Sequence, residues 1–257
     1  MGTEGVHHAA TAFSGAASVY EQTRPGYPPE AITWLVQQLA LGPGRRVLDL
    51  AAGTGKLTRE LLGQGAAVIA VEPVEGMRQT LAQAVPGADV VAGVAQAIPL
   101  GTATVDAVTV AQALHWFAHE AAVAEMHRVL RPGSHLAVVW NRRDLSDPLQ
   151  AALDRIMAPL RGDAPSGTSG EWQRALESAG RSGTPRFTPV ARLRAPWRQP
   201  LDVEGVAGRV ASVSFIAGMA SAERERLLEE VRDEARRYPL PIELPYTAEL
   251  FCYQRVD

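Results

Sequence analysis

Asp49, Gly53 and Gly55 stand at a spacing that can hold a cofactor against bare backbone. The run containing Val47, Leu48 and Leu50 reads as a buried parallel strand. The two glycines break it, and Leu57, Leu61 and Leu62 resume with helical spacing, so a helix is expected from near Lys56. Glycine lets the chain turn tightly and a ligand come close, because no Cβ intervenes. The free N–H groups of the helix's first turn point at the same place. An acid at the end of the strand, as Asp49 is, is expected to face the crevice and to suit a cationic ligand group rather than a pyrophosphate. A dinucleotide fold would place a third glycine where Thr58 stands. The plain alternative is a βα turn in which Asp49 caps the helix.

Glu72 is the second acid of interest. It follows the apolar strand Ala67 to Val71, 17 residues after Gly55, where a carboxylate can accept hydrogen bonds from both hydroxyls of a ribose. Otherwise it is a solvated strand end. A third cluster, Gln112-Ala113-Leu114-His115-Trp116-Phe117, lies just past a fourth strand, Val105 to Val110, which has Asp106 at its start. The carboxyl edge of a parallel sheet is where such folds bind ligands. His115, with an ordinary pKa near 6.5, is the candidate general base; the alternative is a structural histidine bonded within its loop. Arg142 and Arg143, past the strand His135 to Trp140, can anchor a carboxylate bidentately. Arg181, Arg186, Arg192, Arg194 and Arg198 form a more distant basic patch whose ordinary reading is a solvated face.

The elements that must position these residues alternate. Ile32, Leu35, Val36 and Leu39 give a helix face that Gly42-Pro43-Gly44 should end. Helices are expected over 74–85 and 120–130, with a third strand over 88–92. Five alternating strands and helices specify an α/β fold with a mostly parallel sheet. Beyond Arg143 the pattern weakens. Helices are expected over 147–160, 171–179, 202–216 and 222–238, a loop over 162–170, and strands over 187–194 and 247–255. The chain is read as a flexible N-terminus, 1–18, and one domain, 19–257, in which 145–247 contains a helical insertion, on the substrate side by the family resemblance given below.

Composition narrows the function. The chain has 257 residues, is 46% hydrophobic, and carries a net charge of −3 with a pI of about 6.1. That balance gives no general attraction to nucleic acid or to an anionic membrane, and no apolar run approaches a membrane span. Cys252 is the only cysteine, so no internal disulfide is possible and the cytoplasm is the expected compartment. Lys56 is the only lysine among 25 basic residues, a coding bias that suggests a GC-rich bacterial genome. His7 and His8 lack a third ligand, His119, His127 and His135 have ordinary structural readings, and no cluster has metal-site spacing, so no metal is expected. There is neither a Gly-x-Ser-x-Gly elbow nor a P-loop.

Taken together, three features resemble the class I S-adenosylmethionine-dependent methyltransferases. They are Asp49 through Gly55, the Tyr-x-x-x-Arg-Pro-x-Tyr-Pro segment from Tyr20 to Pro28, and the series Ala-Gln-Ala-x-His-Trp-Phe, Arg-Val-Leu-Arg-Pro-Gly and Leu-Ala-Val-Val-Trp-Asn. The series looks most like the methyltransferase type 11 branch that includes trans-aconitate methyltransferase-like proteins, and the likeness runs from Tyr20 to Arg143. The resemblance implies a Rossmann-like, seven-stranded, mostly parallel sheet with helices on both faces and an antiparallel last strand beside the fifth. It also implies a site for S-adenosylmethionine, with S-adenosylhomocysteine as product. The cofactor-binding residues would be Tyr20, Arg24, Asp49, Ala51, Gly53, Gly55, Glu72, Pro73, Ala95, Gln96 and Gln112. Tyr27, Trp116, Arg142 and Arg143 would meet the acceptor, and His115 would act as base.

In this family the loop from Gly93 to Leu100 holds the adenine, often with an acid where Val94 stands here. That departure leaves Ala95 and Gln96 to hold it. The expected activity is methyl transfer to a small-molecule acceptor, on a carboxylate or hydroxyl or in bacterial secondary metabolism, by a monomer or homodimer without nucleic-acid or membrane partners. The alternative is a methyltransferase-shaped cyclase, rearrangement catalyst or binding module. A nicotinamide oxidoreductase is a third, disfavoured by Thr58 and Asp49.

Overall fold

Val47, Leu48, Leu50 and the run Val68 to Val71 are apolar because both faces of the strands they form are covered, and Asp49 is the one buried polar residue among them. The computed structural model describes residues 21, 23–162, 170–178, 183 and 185–256. Tyr20, the expected flexible N-terminus with His7 and His8, Arg181 and most of the loop expected over 162–170 lie outside them.

The sheet has seven strands: β1 (Arg46–Leu50), β2 (Ala67–Val71), β3 (Asp89–Val91), β4 (Val105–Ala111), β5 (Leu130–Arg143), β6 (Phe187–Leu201) and β7 (Ile242–Arg255), in the order β3-β2-β1-β4-β5-β7-β6. β1 to β5 run parallel, and β7 enters antiparallel between β5 and β6. This is the Rossmann-like sheet with the antiparallel last strand that the sequence implies. Alternate strand residues feed two cores. Leu48, Leu50, Ile69, Val71, Val108 and Val110 pack with Val123 and Met126 of α4 (Glu120–Val129). Val47, Val68 and Ala107 face the other side, against Leu35 and Leu39 of α1 (Pro29–Leu39) and Leu57 and Leu61 of α2 (Lys56–Gly63). α3 (Glu75–Ala84) brings Met77 and Leu81 inward.

Boundaries differ from the sequence reading where tertiary pairing intervenes. α1 ends at Ala40, in left-handed backbone (φ 48°), two residues before the expected glycine stop. β5 starts at Leu130, paired with Val105, and its register shifts before His135 pairs with Ala107. β6 runs to Leu201 through Pro196 and Pro200, which an edge strand tolerates because its outer N–H groups have no ladder to feed. The helix expected over 202–216 is two, α7 (Val203–Ala211) and α8 (Ser214–Ala217), broken at Ser212 and Val213.

The residues after Arg143 build a third core. Leu149, Leu153 and Met157 of α5 (Pro148–Met157) meet Val206 and Val210 of α7, Leu228 and Val231 of α9 (Ser221–Ala235), and Ile242, Leu244 and Tyr246 at the start of β7. The short helix α6 (Glu171–Glu177) buries Trp172 and Leu176 on the α4 side of the sheet. Arg192 and Arg194 on β6 both reach Glu249 of β7, at 3.2 and 3.1 Å, with their own side chains mostly exposed. Arg192 and Arg194 are therefore part of a solvated edge-strand face. Cys252 is buried in the sheet.

Candidate functional site

The carboxyl ends of β1, β2, β4 and β5 open on one cavity of about 510 Å³, a volume within the ordinary range for small-molecule sites. The glycine turn forms one wall. Gly53 has φ 60°, and a Cβ built there would meet nothing within 4 Å, so the space over it is open. Gly55 (φ 89°) has a different reason to be glycine: a Cβ there would come within 2.9–3.0 Å of Val85 and Leu81, so it lets α2 begin close against α3.

Asp49 corrects an expectation. Its carboxylate is 1% exposed, does not line the cavity, and accepts from Thr58 Oγ1 (2.7 Å) and Thr109 Oγ1 (2.9 Å). Burial raises its pKa to about 6 against the lowering effect of those hydroxyls. Asp49 thus ties β1 to β4 and to α2 beneath the turn, instead of facing the crevice. Gly55 likewise does not line the cavity.

Glu72 does line it. One carboxylate oxygen accepts Gly53 N–H and the other Val74 N–H, both at 2.9 Å. Each oxygen keeps a further lone pair. Burial raises its pKa to about 7, opposed by the two backbone bonds. On the other side of β1, after β4, Gln112 Nε2 is buried with no hydrogen-bond partner among the described residues, a donor that costs free energy until something accepts from it. Both residues line the same cavity. Pro73, Val94, Ala95 and Gln96 continue the wall, with Gln96 Nε2 3.0 Å from His119 Nε2.

Two residues here hold left-handed backbone without being glycine: Ala51 (φ 56°) after β1 and Gln112 (φ 59°) after β4. Strain of this kind collects where the chain must turn against a ligand. Left-handed backbone costs an L-residue about 1–2 kcal/mol, of which glycine's greater freedom when unfolded takes back about 0.5–1. Ala51→Gly is therefore expected to raise the thermal midpoint by about 1–3 °C in a melting experiment. A lower midpoint would show that the methyl's packing outweighs the strain.

The segment before α1 closes over this wall. Glu21 accepts from Thr54 Oγ1 (2.6 Å) and Arg59 (2.8 Å), and Lys56 Nζ donates to its carbonyl (2.5 Å). Arg24 lines the cavity and donates to Ser212 O of α7 (2.6 Å). Tyr27 does not reach the large cavity. It borders a recess of about 50 Å³ shared with Arg24, Gln112 and Arg209, so it lies outside the cavity where its acceptor contact was expected.

At the far side, His115 stacks on Trp116 and Trp140 with ring centroids at 4.6 and 5.4 Å, and all three line the cavity. Arg142 lies 4.8 Å over the Trp140 ring and binds Glu249 (3.2 Å); Arg143 binds Asp154 (2.5 Å). Burial lowers the pKa of both. Among the described residues no group of three or more His, Cys, Asp or Glu is placed to hold a metal, and no helix is long and apolar enough to cross a membrane.

The methyltransferase-domain family profile matches residues 48–138. An uncharacterized methyltransferase of Mycobacterium tuberculosis is 38% identical over 237 residues, covering 88% of this chain and 86% of its own. An uncharacterized methyltransferase-like protein of Schizosaccharomyces pombe is 34% identical over 228 residues, covering 88% and 87%. The chain belongs to the class I S-adenosylmethionine-dependent methyltransferases. Among solved structures, a protein described as a type II methyltransferase from Anaeromyxobacter dehalogenans superposes with TM-score 0.62 and 25% identity over 90% of this chain and 97% of that one.

Sequence reasoning about this methyltransferase left out Met77, Trp140, Asp154, Arg161, Arg209, Phe215 and Tyr246, all of which line the cavity. Trp140 could have been found, since it precedes Arg142 by one strand repeat and so shares its face. The others carry no local signal.

Proposed function

We propose that this protein transfers a methyl group from S-adenosylmethionine to a small-molecule acceptor bound in the 510 Å³ cavity. The observation that carries the reading is the pairing of Glu72, with both oxygens oriented by backbone N–H groups, and the unpartnered Gln112 Nε2. In this reading Glu72 accepts from the ribose hydroxyls, and Gln112 and Arg24 hold the amino-acid carboxylate. Ala51, Gly53 and Pro73 shape the wall behind them, and Ala95 and Gln96 face the adenine. Asp49 and Gly55 act from beneath, by fixing the turn. When bound, the cofactor supplies an activated sulfonium methyl. The chain's own part is to align the acceptor, exclude water and hold the acceptor's proton.

In this reading His115 takes the proton, with Trp116 and Trp140 as the apolar walls beside it. His115→Gln is expected to lower kcat about 10²- to 10⁴-fold with little change in cofactor affinity. An unchanged kcat would leave His115 as pocket wall. The cofactor assignment is tested by calorimetric titration with S-adenosylmethionine, S-adenosylhomocysteine and NAD. Micromolar binding of the first two is expected, and binding of NAD alone would overturn the reading. The missing acid at Val94 favours one second reading, a rearrangement catalyst or binding module. That reading would bind S-adenosylmethionine yet never release S-adenosylhomocysteine with any acceptor.

A further inference from the structure

The part of the cavity built after Arg143 has its own chemistry. Its walls are apolar: Leu153 and Met157 of α5, Val210 of α7, Phe215 of α8 and Leu244 of β7 all line it. Set into those walls are Arg143, Arg161 and Arg209, with Asp154 as the carboxylate beside them. Asp154 Oδ1 is shared by Arg143 (2.5 Å) and Arg161 (3.2 Å). Arg209 donates through Nε to the phenol of Tyr246 (3.2 Å), a neutral partner that compensates none of its charge. Arg143 Nη1 is buried without a hydrogen-bond partner among the described residues. Burial lowers the pKa of Arg143, and the neighbouring charge of Arg209 lowers it further.

This lobe is short of negative charge and short of acceptors. A buried guanidinium N–H without a partner is costly, and arginines crowded around one carboxylate repel one another. A carboxylate in the lobe would relieve both, because it accepts from a guanidinium in a planar, bidentate fashion. The walls would cover the rest of a molecule that has no other charge. A compact polycarboxylate would gain at the arginines but lose its hydration against Leu153, Met157, Phe215 and Leu244.

We propose that the acceptor is an amphipathic monocarboxylate, an apolar body bearing one carboxylate that Arg143 anchors with help from Arg209. The inference rests on the methyltransferase reading for the word acceptor, while the lobe's preference for such an anion can be measured independently.

Decanoate is the probe, with decanamide as its neutral counterpart and citrate as the compact polyanion, each titrated into the full chain with and without saturating S-adenosylhomocysteine. Decanoate is expected to bind at least tenfold more tightly than decanamide or citrate. Arg143→Gln should weaken decanoate at least about tenfold, the worth of one charge-assisted bond pair, while leaving S-adenosylhomocysteine affinity within twofold. Asp154→Asn removes the competing carboxylate and should strengthen decanoate several-fold, a gain that loss of folding cannot produce. Equal binding of decanoate and decanamide, preference for citrate, or Arg143→Gln and Asp154→Asn both without effect would overturn the proposal. Failure of S-adenosylhomocysteine to bind the native chain would instead remove the cofactor reading, with the decanoate arm still reporting on the lobe.

Discussion

Glu72→Ala is expected to abolish measurable S-adenosylhomocysteine binding, a loss of at least about a hundredfold, with little loss of stability in the free protein. The first part follows from geometry. Glu72 is buried at the cavity wall with its two oxygens fixed by Gly53 N–H and Val74 N–H. A ligand's ribose hydroxyls would meet a preoriented carboxylate, and hydrogen bonds to a charged group contribute about 1.5–3 kcal/mol each. Two such bonds exceed a hundredfold in affinity. The same substitution frees Gly53 N–H of the glycine turn and Val74 N–H at the start of α3, which adds to the loss.

Stability follows a different balance. Removing the acceptors of two backbone N–H groups costs about 1–3 kcal/mol each. Against that, burial holds the Glu72 pKa at about 7 instead of 4.5, so keeping it ionised well above neutrality itself costs about 3 kcal/mol. The two effects largely offset, and the melting midpoint of the free variant should stay within about 5 °C of the native chain above pH 8. Binding to the native chain should also strengthen as pH rises through about 7, because the ionised carboxylate is the better acceptor. Titration calorimetry at pH 6, 7 and 8 checks the binding, and scanning calorimetry above pH 8 checks the stability. Unaltered affinity in the variant would remove Glu72 from the site.

The second large effect belongs to Asp49. Its folded pKa, about 6, lies above the ordinary 3.8, because burial outweighs the hydroxyls of Thr58 and Thr109. The folded state therefore holds the proton more tightly than the unfolded chain. No penalty exists below about pH 4; stability is lost as pH rises from about 4 to 6, and the full penalty of about 3 kcal/mol stands above that window. Asp49→Asn cannot ionise. Its stability relative to the native chain should shift in its own favour by about 3 kcal/mol between pH 4 and pH 7, whatever the absolute cost of placing an amide between two threonines. Denaturant melts of both chains across that range measure the difference. A constant difference would mean that Asp49 titrates normally and that the hydroxyls fully replace water.

The core of the fold was legible because the signals that specify it are local. The mostly apolar runs at Val47–Leu50, Ala67–Val71 and Val105–Val110, interrupted only by Asp49, Asp106 and Thr109, have one stable solution, strands buried on both faces, and β1, β2 and β4 fall within a residue of their expected bounds. The glycine turn was legible for the same reason. The breakdown points are those where pairing overrides local preference: the prolines of β6, tolerated only because the strand is an edge, and the break at Ser212 and Val213.

For the site, the sequence by itself determined which residues stand at the carboxyl ends of the parallel strands: Ala51 and Gly53, Glu72, Gln112 with His115, Arg142 with Arg143. Chain direction and strand period are enough to put them on one edge, and the structure gathers them around one cavity. What only the tertiary structure decided is where each side chain turns there, and what faces it. Asp49 turns inward because Thr58 and Thr109 offer hydroxyls beneath the sheet edge, and the latter comes from a strand 60 residues away. Asp154 and Arg209 from helices, Arg161 from the turn after α5 and Tyr246 from β7 reach the cavity by a placement that depends on the third core. No spacing encodes that meeting, because contacts between distant segments are fixed by how whole faces pack and not by the residues that later line the space between them.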